Sequence, residues 1–135
     1  MREIEFRGKF LYGDKEWKYG EFHHGCIESD RNYDIDLNTL GQYTGLKDKN
    51  GKKIFEGDVV KLKETNYNYE WTAVIEFGNP NSEYIWGWNL KPIKKDVEYN
   101  LDILCWVEMP YGATCEIIGN IYDNPELFKG EKNGN

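Results

Sequence analysis

A chain of 135 residues and 15.9 kDa is one domain's worth of length, which excludes a multidomain enzyme. Its 17 Lys and Arg stand against 24 Asp and Glu; the net charge of −7 argues against non-specific nucleic-acid binding, which needs a cationic surplus to neutralise phosphates. Aromatic side chains are dense, with 5 Trp, 10 Tyr and 6 Phe, and exclude a disordered chain, because disordered segments lack the apolar groups that offset chain entropy.

Apolar residues alternate with period two through most of the chain, the pattern of half-buried strands. Ile4, Phe6, Gly8 and Phe10 fall on one face of a first strand, with Glu5, Arg7 and Lys9 on the other. Leu11-Tyr12-Gly13-Asp14-Lys15 turns the chain. Trp17 and Tyr19 share the inward face of the next strand, where Gly20 marks a bulge. Cys26–Ser29 supplies a third strand, and the polar segment Asp30–Asn38 reads as a loop. Leu40, Gln42 and Tyr43 lead into Thr44–Gly51, where Asn50-Gly51 is a strong turn signal because both residues tolerate positive φ. Ile54 and Phe55 follow. Gly57-Asp58 then forms a tight entry to a strand carrying Val59, Val60 and Leu62; Gly supplies backbone freedom and the Asp carboxylate accepts bonds from turn amides.

Further along, Trp71, Ala73, Ile75 and Phe77 alternate with Thr72, Val74 and Glu76. Tyr84–Leu90 is an aromatic strand, and Leu101–Val107 another after the polar Lys91–Glu98 connection. Pro110-Tyr111-Gly112 turns the chain into a last strand, Thr114–Tyr122, with Gly119 as its bend or bulge. Asn124 is a helix cap, Pro125 suits a first helical position and Gly130 a stop, so Pro125–Lys129 is expected to form a short helix. Five short β segments between Val59 and Tyr122 favour a small barrel or sandwich over a βαβ fold. The expected division is a β-rich extension over 1–50, a small barrel with its terminal helix over 51–130, and a frayed tail over 131–135.

The motifs that carry chemistry are tested and set aside. Gly45…Gly51-Lys52-Lys53 has the wrong glycine spacing for a phosphate loop, and Lys53 stands where Ser or Thr would hold magnesium. Asp48-Lys49-Asn50-Gly51 opens like a calcium loop but lacks the later oxygen ligands and the terminal Glu. His23 and His24 are adjacent and point to opposite faces of a strand, so they do not share one ion, and no Cys pair has zinc-knuckle spacing. Cys105 lies in an apolar run, where a thiol is inert packing, and no Ser sits in a nucleophile elbow. No catalytic residue, no metal and no cofactor is therefore expected. Cys26, Cys105 and Cys115, an odd count without a secretion signal, read as reduced thiols of a cytoplasmic protein. No stretch approaches the roughly 20 apolar residues of a membrane span.

The aromatics are the feature left over. Trp71, Trp86, Trp88 and Trp106 fall in the expected barrel, with Tyr67, Tyr69, Tyr84 and Tyr99 flanking its strands. Most serve a core, since each buries a large area. Their excess over what a small barrel holds points to an exposed set, with Trp86 and Trp88 on one strand face, bordered by acidic groups; that is a surface for a protein partner or a second copy.

Three blocks of sequence resemble the YopX-like family of phage and prophage proteins. They are Arg2–Lys9, the run Gly41–Val60 (GQYTGLKDKNGKKIFEGDVV) and Ile118–Leu127 (IGNIYDNPEL), in the right order along nearly the whole chain. The resemblance implies a phage or prophage origin and an SH3-like β-barrel. It carries over no catalytic residue. Among the matching positions, Asn50, Gly51, Gly57 and Asp58 suit turns, and Asn120, Asp123, Asn124 and Pro125 suit a strand-to-helix corner. Gln42, Tyr43, Lys47 and Asp48 have no evident structural duty and join Trp86 and Trp88 as the candidate contact surface.

The resulting expectation is mainly β: an SH3-like barrel with an N-terminal β-rich extension and a short C-terminal helix. It would act as a non-catalytic interaction module, bound to a host or phage protein or to itself, in the bacterial cytoplasm and without a membrane. The alternatives are a nucleic-acid accessory role, using Lys47, Lys49, Lys52, Lys53, Lys61 and Lys63 with the barrel's aromatics, or an acidic surface that imitates DNA.

Overall fold

The computed structural model of the chain describes residues 4–64, 69–78, 87–93, 101–102 and 113–127. Its elements are β1 (Phe6–Phe10), β2 (Trp17–His23), β3 (Cys26–Glu28), β4 (Asn32–Lys47), β5 (Lys53–Phe55), β6 (Asp58–Glu64), β7 (Tyr69–Gly78), β8 (Gly87–Pro92), β9 (Leu101–Asp102) and β10 (Ala113–Asn120). The described chain is thus mainly β. It divides into two compact units, Met1–Gly45 and Leu46–Asn135.

In the first unit β1 pairs antiparallel with both β2 and β4, and β3 lies between β2 and β4. Ile27, Tyr33 and Ile35 form the buried core, with Phe6, Phe10, Phe22 and Leu40 packed against them. The rings of Phe10 and Tyr33 meet edge to face, 5.1 Å apart. Gly8 has no room for a side chain, because a Cβ there would collide with Ile35.

Three readings of this region are corrected. Asp30–Asn38 is not a loop, since β4 starts at Asn32. Its polarity concealed an alternation: Tyr33 and Ile35 go inward, while Asn32 and Asp34 face outward. Trp17 and Tyr19 share a face but not the core face: the register sets them opposite Lys9 and Arg7, away from Phe6 and Phe10, and leaves Tyr19 42% exposed. Arg7, placed outward by the alternation, is buried, its guanidinium 4.6 Å over the Trp17 ring.

The second unit holds an antiparallel sheet in the order β10-β6-β7-β8-β9. Ile54, Val60, Leu62, Trp71, Ala73, Ile75, Trp88, Leu90 and Cys115 build its core, with Leu46 and Ile117 against it. The register explains this set: Leu62 faces both Trp71 and Cys115 across the ladders, and Ile75 faces Leu90. Phe77 breaks the expected inward series: it stands opposite the buried Trp88 in the ladder, yet its ring is 57% exposed. Gly119 coincides with a register shift in the β10–β6 ladder.

A pairing of β9 with β10, which would close the sheet into a barrel, is not among the described residues. Nor is the short helix over Pro125–Lys129; only Glu126 and Leu127 have helical backbone there, and the residues after 127 lie outside the description. The expected strand residues Tyr84–Trp86 and Ile103–Val107 also lie outside it, as does the tail 131–135.

Candidate functional site

Asp48 and Gly57-Asp58 of the 41–60 block meet β10 and the corner that follows it in two clamps. The first is built on Asp48, directly after β4 and only 7% exposed. Its Oδ1 accepts the N–H groups of Asn50 and Lys52, each at 2.9 Å, and its Oδ2 accepts that of Ile117 at 3.0 Å. The backbone closes the same turn: Asp48 N–H donates to the Lys52 carbonyl at 2.8 Å, and Gly51 N–H to the Asp48 carbonyl at 3.0 Å. Gly51 has a φ of +82°, where side-chain-bearing residues are strained. Lys49 N–H donates to the Cys115 carbonyl at 2.9 Å. Cys115 and Ile117 belong to β10, which ends the sheet order, so this turn occupies backbone groups that an open edge would offer to another chain.

The second clamp joins Gly57-Asp58 to the corner after β10. Gly57 N–H donates to the Ile75 carbonyl at 2.9 Å, and its own carbonyl accepts Ile121 N–H at 3.0 Å. The Tyr122 ring lies so close that a Cβ on Gly57 would stand 3.0 Å from it. Asp58, fully buried, accepts Phe55 N–H at 2.8 Å. At the corner Asn120 Oδ1 accepts the N–H groups of Tyr122 and Asp123, at 2.9 and 2.8 Å. Asn120 Nδ2 donates to Asp123 at 3.2 Å, and Asn124 Oδ1 accepts Asn120 N–H at 3.2 Å. Pro125 follows in a turn.

The six residues read as a contact surface separate. Tyr43 and Trp88 are buried, at 4% and 8% exposure, and Asp48 is spent on the first clamp. Gln42 is half-buried and Lys47 exposed, while Trp86 lies outside the described residues. Phe77 takes the place expected of the tryptophans: it is exposed and packs edge-on against Trp88, the ring centroids 4.8 Å apart. Its strand register against Trp88 was not visible in the sequence, and alternation alone assigns it inward.

Of the lysines in the alternative reading, Lys47, Lys49 and Lys52 are exposed. Lys49 stands 3.6 Å from Glu116, and Lys63 3.9 Å from Glu70. Cys26 and Cys115 are free thiols, and Cys105 lies outside the described residues. Burial, then the charges of Asp48 and Asp58, push the Cys115 thiol up to about 12. The hydrogen bond from Cys26 to Asp34, with partial desolvation and the Asp34 charge, raises that thiol as well. Neither is poised as a nucleophile.

One cluster escaped the sequence reading. On the β2–β3 hairpin Glu21, His23 and Glu28 bring three ligand atoms within 4.8 Å of one another. Its sequence signal is Glu-x-His followed by Gly25 and an acidic residue on the return strand; which residues meet depends on the cross-strand register. Among the described residues no helix is long and apolar enough to cross a membrane.

A family profile described as YopX protein matches residues 9–129. The SPbeta prophage-derived uncharacterized protein YopX of Bacillus subtilis (strain 168) is 30% identical over 82 residues, which cover 61% of this chain and 54% of that protein. The chain thus spans about half the length of that relative. The crystal structure of protein EF1440 from Enterococcus faecalis matches 95% of this chain and 99% of its own, with a TM-score of 0.54 and 22% identity, a likeness of fold.

Proposed function

The chain belongs to the YopX protein family, and from that premise we propose a phage- or prophage-derived, non-catalytic interaction protein of the bacterial cytoplasm. The observation that carries this reading is the use to which the polar residues of the 41–60 and 118–127 blocks are put. Asp48, Asp58 and Asn120 spend their side-chain oxygens on the chain's own backbone amides. Such groups stabilise a scaffold; they are not aimed at a substrate. For the second unit we infer an SH3-like barrel, supported by five antiparallel strands around one apolar core.

The surface we assign to the partner is centred on Phe77, an exposed ring held by Trp88. The partner is a host or phage protein, or a second copy of the chain. Affinity capture from host lysate, run beside sedimentation of the purified chain, tests this with wild type and Phe77→Ser. The expected result is a captured partner or self-association that Phe77→Ser weakens tenfold or more. Wild type that neither captures nor self-associates, or a variant indistinguishable from it, overturns the reading.

The exposed Lys47, Lys49 and Lys52 favour a second reading, contact with single-stranded nucleic acid. Their charge is partly answered by Glu116. Titration of a labelled oligonucleotide separates the two: binding that weakens steeply with salt supports it, and no binding at low ionic strength removes it.

A further inference from the structure

We propose that the β2–β3 hairpin carries a site for a divalent first-row transition cation of the zinc class, with Glu21, His23 and Glu28 as its protein ligands. The strand register sets the three on one face. Glu21 and His23 are two residues apart on β2, and Glu28 is the direct cross-strand partner of Glu21. The turn between the strands is tight, His24 and Gly25 having φ values of +51° and +82°. That geometry fixes the register, and with it the meeting of the three side chains.

The two distances to the imidazole, one of them a hydrogen bond to Glu28, are close to those of a coordination shell. His23 Nε2 lies 3.1 Å from Glu28 Oε1 and 3.6 Å from Glu21 Oε1. Two ligands held about 2.1 Å from a tetrahedral ion stand about 3.4 Å apart. All three side chains are exposed, so ordinary rotamer adjustment brings them onto one ion. The donor set, one imidazole nitrogen and two carboxylate oxygens, selects zinc-class ions over calcium or magnesium, which take oxygen alone. Three protein ligands leave a position for water or a further ligand.

The electrostatics point the same way independently. Like charges directly opposite in a ladder are unfavourable, and Glu21 faces Glu28. Among the described residues neither carboxylate is paired with Lys or Arg; both share the single imidazole. A divalent cation removes that repulsion. Cys26, the cross-strand partner of His23, is occupied, its Sγ donating to Asp34 at 3.1 Å.

The chain has only two histidines, which makes the test clean. Zinc chloride is titrated into the whole protein while the ring signals of both histidines are followed by NMR. The expected result is a shift of the His23 signals that saturates at one equivalent and leaves His24 unmoved. Glu21→Gln and Glu28→Gln should each weaken the affinity at least about tenfold, while His24→Gln and Cys26→Ser stay within about twofold. The backbone amide spectrum checks that each variant is folded. No shift, equal shifts of both rings, carboxamide variants that bind like wild type, or loss of binding in Cys26→Ser each overturns the assignment.

Discussion

Asp48 takes two of its three amide donors from its own turn, while the third comes from Ile117, 69 positions further along the chain. The local part was legible, because Asp before Asn-Gly is turn chemistry. The distant part was not, and without it Asp48 reads as a surface residue. Charge-assisted hydrogen bonds contribute about 1.5–3 kcal/mol each, and donors left buried without an acceptor cost as much again. Asp48→Ala should therefore destabilise the second unit by about 3 kcal/mol or more in urea unfolding, whereas exposed Lys47→Ala should stay within about 0.5 kcal/mol. Cys115 makes a second prediction. Its folded thiol is held protonated to about 12 against an ordinary value of 9.0. Between those values the unfolded chain has lost the proton and the native chain keeps it, so the contribution is full below pH 9 and is lost as pH rises toward 12. Stability should fall across that window, by up to about 1.4 kcal/mol per pH unit from this group, and Cys115→Ala should flatten the decline. The same thiol should resist alkylation at neutral pH until the protein unfolds.

At the level of elements, alternation located most strands because it reports which face is buried, and it failed where another constraint decided. β4 was masked by its outward Asp and Asn residues, although Tyr33 and Ile35 carry the inward period. Phe77 kept the period but stands exposed beside the buried Trp88, since alternation marks a face and not how deeply each position on it is covered. The turns were read from glycine and asparagine, yet what they grip became visible only in three dimensions. Gly57 has a φ of +92° under the Tyr122 ring, and a Cβ on Gly119 would stand 2.6 Å from Asn124 Oδ1 and 2.8 Å from Leu127 Cδ1. Gly57→Ala and Gly119→Ala should each cost about 1–3 kcal/mol, measured by denaturant unfolding. Asn120→Ala, which leaves two corner amides without their acceptor, should cost a similar amount.

Over the whole molecule, the sequence established a β protein with a YopX-like signature but could not show what the signature does. Its polar residues looked available for contact because their partners lie in separate blocks of the chain. The fold unites them: the turn after β4 covers the edge of β10, and Gly57-Asp58 holds the corner that follows β10. Asp48, Gly57, Asp58 and Asn120 thus form a scaffold around one sheet edge, while the partner surface proposed at Phe77 and the cation site proposed on the β2–β3 hairpin lie outside these residues. Amide hydrogen exchange at Asn50, Lys52 and Ile117 tests this scaffold role most directly. Wild type should protect all three amides, and Asp48→Ala should speed their exchange together by about a hundredfold or more, the equivalent of about 3 kcal/mol. Amides already unprotected in wild type, or unchanged in the variant, would contradict the account.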